Sequence, residues 1–248
     1  MTILKLFVLA GCFTFSTGII TQAQNVTDSK GLKQGAWKKS DAAGNLIYEG
    51  QFKDNIPQGT FLYYYEDGKV RSQLAYSADG KSASAVNFHT NGKKMAEGTY
   101  LETKKDGLWK YYNELETLSS EESYAKGIPT GVWKTYYDDG KLLEECPYSK
   151  GKKDGECRQY FQDGSIKSVV NFKDGKYDGS ARYFYPNGKP ILEGQFVNDL
   201  REGLWTAYKD NGEKESEITY FEGSVSEEKY YDKAREEELN NEVKAIPE

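Results

Sequence analysis

Short runs in which large apolar and polar side chains alternate recur along the chain every 24 residues. Stepping from Gly35 in that unit reaches Gly59, Ala83, Gly107, Gly131, Gly155, Gly179 and Gly203, with no insertion between copies. Two residues after each start stands a large ring in most copies (Trp37, Phe61, Trp109, Trp133, Trp205). Five after it stands Tyr64, Phe88, Tyr112, Tyr136, Tyr160, Phe184 or Tyr208. The column seventeen on is aromatic throughout: Phe52, Tyr76, Tyr100, Tyr124, Tyr148, Phe172, Phe196 and Tyr220. A fixed period of this length is the mark of a tandem array.

Within one period the alternation has the two-residue repeat of a strand, so Leu142 and Tyr148 fall on one face and Glu145 on the other. Between the two strands of a copy comes Asp-Gly or Asn-Gly in six copies, as at Asp67-Gly68 and Asp139-Gly140. That dipeptide predicts a type I′ hairpin turn. A second turn column holds Asn55, Asp79, Gly127, Gly151, Gly175, Asp199 and Gly223, residues that tolerate a left-handed backbone. The reading is all-β: an elongated array of about eight 24-residue hairpins over residues 35–223.

The flanks break the pattern. Residues 24–34 are polar and predict a linker. Residues 224–248 predict a short capping helix and tail, with Ser224 and Glu227 at capping-box spacing. Residues 1–23 carry Lys5, an apolar run to Ile20 and a small residue at Ala23, the form of a secretory signal cut before Gln24. Leu9-Ala10-Gly11-Cys12 has the form of a lipoprotein site, so acylation of Cys12 is the alternative, and the one route by which a membrane would be involved. The expected location is the periplasm or the medium.

The pattern G-x-W-x-x-Y-Y-x-D-G-K-x-x-x-E-x-x-Y-x-x-G, seen most fully in residues 131–151, resembles the variant MORN repeat as found in the antitoxin YwqK-like family. The resemblance implies a β-hairpin array with no catalytic residues to carry over. It also implies a protein partner, which the family's name suggests is a toxin.

Composition narrows the functions further. The chain has 33 Lys and Arg against 39 Asp and Glu, and removing residues 1–23 takes away Lys5 and no acid, moving the net charge from −6 to −7. No basic face offsets this, and the Lys150, Lys152, Lys153 cluster is local, which argues against nucleic acid and anionic membrane. The single histidine, His89, builds neither a triad nor a zinc site. Acids recur at Glu49, Glu97, Glu121, Glu145, Glu193 and Glu217; one per repeat is a ladder partnered by Lys rather than a catalytic pair. No cofactor, metal or catalytic residue is expected. An exported binding scaffold is therefore the leading function, with an immunity protein that occludes a toxin, or a passive envelope component, as the alternatives.

Two features are candidates for sites. Cys146 and Cys157 flank one turn on consecutive strands and predict a disulfide in an oxidising compartment. Departures from the columns gather in residues 83–120: Ala83 for the start Gly, Ala85 for Trp, Asn87 and His89 near tyrosine positions, and Glu114 and Glu116 in place of the Asp-Gly turn. These six are the candidate partner-binding residues. Small side chains at 83–85 should leave a depression, and loss of Gly at 116 should distort or lengthen the loop beside it.

Overall fold

A computed structural model describes residues 24–231. Its architecture is one open antiparallel sheet of nineteen strands, β1–β19 in chain order, from β1 (Val26–Thr27) to β19 (Ser224–Tyr230). Each strand pairs with its neighbour in the chain, except that β12 (Lys152–Lys153) and β13 (Gly155–Tyr160) both lie against β11 (Leu142–Ser149). Among the described residues only eleven apolar ones are buried, Phe61, Trp109 and Trp205 the largest of them, so the core is a thin layer centred on rings of one face of the sheet.

The second turn column has the left-handed backbone expected of it, as at Asn55, Gly127 and Asp199, but the Asp-Gly turns are not of the expected type. At Tyr65–Lys69 the Gly68 amide donates to the Tyr65 carbonyl and the Tyr65 amide to the Lys69 carbonyl, with φ +81° at Gly68 only. This is a three-residue loop, a type I turn closed by a left-handed residue, not type I′. The Asp keeps a negative φ because its carboxylate accepts the amide two residues on, as Asp67 does from Lys69. Type I′ turns occur instead between copies, where both central residues have positive φ: Asp54-Asn55, Lys126-Gly127 and Asp174-Gly175.

The start glycine has its own reason. Between β3 (Leu46–Lys53) and β4 (Ile56–Tyr64) the register shifts after Gln51↔Gln58, and Gly59 sits in that bulge at φ +64°. Ala83 lacks this freedom. There β5 (Val70–Tyr76) and β6 (Ser82–Phe88) pair without any shift from Ser72↔Asn87 to Tyr76↔Ala83. The residues that a bulge would absorb enter the connection instead, so Ser77–Lys81 replaces a two-residue turn.

Three expectations are corrected here. Glu116 neither distorts nor lengthens its loop. It adopts φ +66° and donates to the Asn113 carbonyl, as Gly92 does to His89. Two further amides, of Leu115 and Thr117, converge on Asn113 Oδ1 and hold the turn. Residues 24–34 are not a free linker: Val26 and Thr27 pair with β2 (Lys33–Ser40), and Asn25 Oδ1 accepts the Lys38 amide, which covers that edge of the sheet. Ser224–Tyr230 form a strand on β18 (Lys214–Phe221) rather than the start of a helix. Ser224 lies 24 residues after Leu200, itself the first residue of a strand, so the period outweighs the capping signal. The remainder of the expected helix, the expected signal segment and Cys12 lie outside the described residues.

The faces differ in kind. On one face, a tyrosine hydroxyl of each of five copies donates to a glutamate of the copy before: Tyr64 to Glu49, Tyr112 to Glu97, Tyr136 to Glu121, Tyr160 to Glu145 and Tyr208 to Glu193, at 2.5–2.9 Å. Lys38, Lys94, Lys110 and Arg158 add ion pairs to four of these carboxylates. The other face carries the ring layer.

Candidate functional site

The ring layer is built from two columns. Rings two residues after a start position pack against members of the seventeenth-position column, between two of them where a copy precedes. Phe61 lies 5.0 Å from Phe52 and 5.3 Å from Tyr76. Trp133 lies 5.3 Å from Tyr124 and 4.4 Å from Tyr148. Trp205 lies between Phe196 and Tyr220 at 4.9 and 6.4 Å. Trp109 lies 4.8 Å from Tyr100 and shares the ammonium of Lys105 with Tyr124.

What lies beneath each ring decides whether it fits. Gly50, Gly98 and Gly194 stand under Phe61, Trp109 and Trp205, and a methyl group on any of them would come within 2.2–2.4 Å of the ring. The indole N–H of Trp109, Trp133 and Trp205 donates to the backbone carbonyls of Thr99, Ser123 and Gln195, each ten residues back. Two residues before five of the eight starts stands a cation, and in several copies it lies over the ring. Lys33 lies 4.6 Å from Trp37, Lys105 lies 5.1 Å from Trp109, and Arg201 lies 4.5 Å from Trp205.

Three copies lack the ring, and the chain treats them differently. Where Cys157 replaces it, the sulfur bonds to Cys146 on the adjacent strand, with the two Cα atoms 4.2 Å apart. Where Ala181 replaces it, Tyr177 supplies a ring from the cation column, 4.6 Å from Phe172 and 5.1 Å from Phe196. Where Ala85 replaces it, Leu74 on the paired strand stands where Gly50, Gly98 and Gly194 stand beneath other rings, and it packs against the buried Ala85, Ala96 and Trp109. Tyr76 and Tyr100, the two rings that would flank a tryptophan there, line a cleft of about 580 Å³. Leu74 and Ala83 also line it, with Tyr63, Met95 and Asn87 around them and Lys81 and Arg71 at its rim. Burial and the Tyr76 hydroxyl hold the Tyr63 phenol well above its ordinary range. The charge of Lys81 acts on the Asp79 carboxylate, which also accepts the Lys81 amide, the charge of Arg71 acts on the Tyr63 phenol, and Glu102 puts a carboxylate in the same lining.

The six candidate residues therefore separate. Ala83 and Asn87 line the cleft. Ala85, 2% exposed, is packed with Ala96 and Trp109. His89 is structural: its Nε2 contacts the Tyr112 carbonyl at 2.9 Å, which makes that nitrogen the donor. Tyr65, Tyr137 and Tyr185 make the same contact in their own copies. Glu114 gives its carbonyl to Asn91 Nδ2, and Glu116 closes the turn already described. The residues that the sequence reading missed are Leu74, Tyr76, Lys81 and Tyr100. Part of their signal was present: Tyr76 and Tyr100 belong to the ring column that flanks the tryptophans, whereas Leu74 stands where Gly98 and Gly194 lie beneath Trp109 and Trp205.

Comparison with known proteins gives one family. The model described as "MORN repeat variant" matches residues 33–54, 57–81, 129–150, 153–174, 177–198 and 201–222, more than half of the chain, and a MORN repeat model matches 193–204. Residues 82–128, which carry Ala83 and Ala85, fall between these matches. No curated protein matches the chain. Among solved structures, a GtfA/B complex bound to UDP and GlcNAc is 12% identical over 49% of this chain and 24% of its own, with a TM-score of 0.20. A TcdB2-TccC3-Cdc42 complex is 13% identical over 76% of this chain and 14% of its own, with a TM-score of 0.21. The chain thus spans a quarter or less of either.

Proposed function

The chain belongs to the MORN repeat variant family, and on that premise we propose that it is an exported, non-enzymatic scaffold that holds a protein partner on the ring face of its array. One observation carries the reading. The ring layer changes at the copy that carries Ala85, where Leu74, Tyr76, Ala83 and Tyr100 line a cleft of about 580 Å³ with Arg71, Lys81 and Glu102 among its lining. A sheet evolved only to span distance gains nothing from such a cleft, because a copy without its ring forfeits ring contacts worth about 0.5–1.5 kcal/mol. Long regular surfaces suit repeat proteins to binding. In the narrower form of this reading the partner is a toxin that the array occludes, in keeping with the resemblance to the antitoxin YwqK-like group.

Export is part of the proposal and rests on the form of residues 1–23. Amino-terminal sequencing of chain recovered outside the cytoplasm should begin at Gln24. An intact Met1 in the cytosol would refute export, and an acylated Cys12 would make the protein lipid-anchored. For the scaffold role, tagged chain is used to capture a partner from an envelope extract, and the complex is rebuilt from the two purified proteins. A defined complex is expected. A chain that is abundant in the envelope and forms no such complex would instead be a passive structural component.

A further inference from the structure

We propose that the chain associates with a second copy of itself, edge to edge, through a basic row of turns on one side of its central repeats and an acidic row of loops on the other. The inference goes beyond the scaffold reading above and does not depend on it. Three observations carry it.

First, the two ends of the strands carry opposite charge. The loops within copies and the turns between copies lie at opposite ends of nine-residue strands, about 30 Å apart. Across residues 101–176 the turns present Lys104, Lys126, Lys150, Lys152, Lys173 and Lys176, against Glu102 and Asp174. All six lysines are exposed, and none forms an ion pair among the described residues. Of the acids one step inward, Asp106 and Asp178 accept the amides of Lys126 and Asn198, which leaves Asp154. The loops at the other end present Glu114, Glu116, Asp138, Asp139 and Asp163 against Lys141.

Second, each row holds one exposed apolar side chain among its charges. Where the other copies have Ala, Asp or Asn at the loop tip, this one has Leu115, 74% exposed and flanked by Glu114 and Glu116. The loop is fixed in that form. The amides of Leu115 and Thr117 donate to Asn113 Oδ1, and Glu116 keeps φ +66° where glycine would be unstrained. On the basic row Ile128, 53% exposed, stands between Lys104 and Lys152 in its column. A methyl group on Gly151 would lie 3.7 Å from Ile128 Cγ2, so the turn that carries Lys150 lies against it.

Third, the rows keep the same pitch. The amides of Gly127, Gly151 and Gly175 donate to the carbonyls of Lys105, Pro129 and Lys153, which ties each turn to the copy before. Asn113 reaches Asp138 and Gln162 reaches Asp139 across successive loops. Both rows therefore advance two strands per copy, about 10 Å. With Leu115 of one copy on Ile128 of a second, Asp138 and Asp139 meet Lys150 and Lys152, and Asp163 meets Lys173 and Lys176. An acidic segment of a foreign polypeptide would also meet the lysines, but a second copy brings its acids at this pitch and around an apolar tip. The contact joins unlike surfaces, so it is head to tail and open-ended.

The test is sedimentation velocity of the full chain over a range of concentrations. In about 50 mM salt the average mass should rise with concentration, with a Kd on the order of 0.1 mM per contact and no plateau at a dimer. In about 500 mM salt the association should weaken at least about tenfold. Two variants separate the edges. Glu114→Gln with Leu115→Ser and Glu116→Gln disables the acidic row, and Lys126→Gln with Ile128→Ser and Lys150→Gln disables the basic row. All six positions are exposed, so both chains should keep the circular dichroism of the parent. Each alone should associate at least about tenfold more weakly than the parent. A mixture of the two should form a dimer and nothing larger, because each supplies the edge that the other lacks. Should either triple variant not fold, Leu115→Ser alone should still weaken association at least about fivefold. No association at about 0.5 mM protein in low salt overturns the proposal. So does association that salt leaves unchanged, growth of the mixture beyond a dimer, or association that both variants retain, as association through residues 1–23 would be.

Discussion

Replacing Gly98 with Ala probes the ring layer at its tightest point. Gly98 has no positive φ, so the backbone accepts alanine and the change acts through space alone. The new methyl group would lie 2.4 Å from Trp109 Cδ2 and 2.5 Å from Cε2, against ordinary carbon contacts of about 3.5–4.0 Å. Trp109 is fully buried, with Tyr100 and Tyr111 beside it and Lys105 above, and its indole N–H is held by the Thr99 carbonyl. The ring must therefore shift against packed neighbours, a strain of about 1–3 kcal/mol. Trp109→Ala alone should cost about 3–5 kcal/mol. In the double variant the clash has no ring to act on, so the cost should fall short of the sum by about 2 kcal/mol. Urea unfolding followed by far-ultraviolet circular dichroism, run on all four proteins, measures this. Gly92→Ala is the control: φ is +83° and nothing lies within 4 Å, so its cost of about 1 kcal/mol is backbone strain and should add to Trp109→Ala. Additivity of the Gly98 pair within about 0.5 kcal/mol would refute the account of what the glycines under the rings are for.

The opposite face should show itself in alkali. Tyr64, Tyr112 and Tyr136 are pushed up to about 12, first by burial and then by donation to Glu49, Glu97 and Glu121. Because these folded values lie above the unfolded one, the stability they contribute is present below about pH 10 and is lost as the pH rises through 12. Phenolate absorbance should accordingly show a late-titrating class that Glu97→Gln shrinks, and uniform ionisation near pH 10 in the folded protein would contradict it. The disulfide closes a sequence separation of 11 residues, so reduction or Cys146→Ser should cost about 2–3 kcal/mol. Mass spectrometry of non-reduced protein checks the bond, and free thiols at both positions would rule it out. Glu116→Gly should raise stability by about 0.5–1 kcal/mol, since it relieves a left-handed backbone at φ +66°. A lower thermal midpoint would mean that Glu116 has a role the turn does not show.

The period, the hairpins and the ring columns were legible in the sequence because each repeat meets its neighbours in the same register, so one rule is written eight times. The turn types were not. Asp-Gly suits both a type I′ turn and a type I turn closed by glycine, and loop length, which decides between them, depends on where pairing resumes. Ala83 was legible as a departure but not in its consequence, because the role of the start glycine in a bulge appears only once the register is known. Ser224–Tyr230 was misread because a local capping signal was weighed above the register of a nineteenth strand. The candidate site was half visible. Ala83, Ala85 and Asn87 mark the place by lacking large rings. The walls at Tyr76 and Tyr100 are ordinary column members that matter only beside Ala85.

Hydrogen–deuterium exchange on the chain with and without its captured partner tests the central claim most directly. Amides in the sheet interior are already bonded, so new protection reports where the partner sits and how firmly it holds the local strands closed. The account predicts protection concentrated in residues 70–103, around the Ser77–Lys81 connection and the strands that carry Tyr76, Ala85 and Tyr100. Protection confined to residues 129–222, where the repeats follow the family pattern without this cleft, would contradict it.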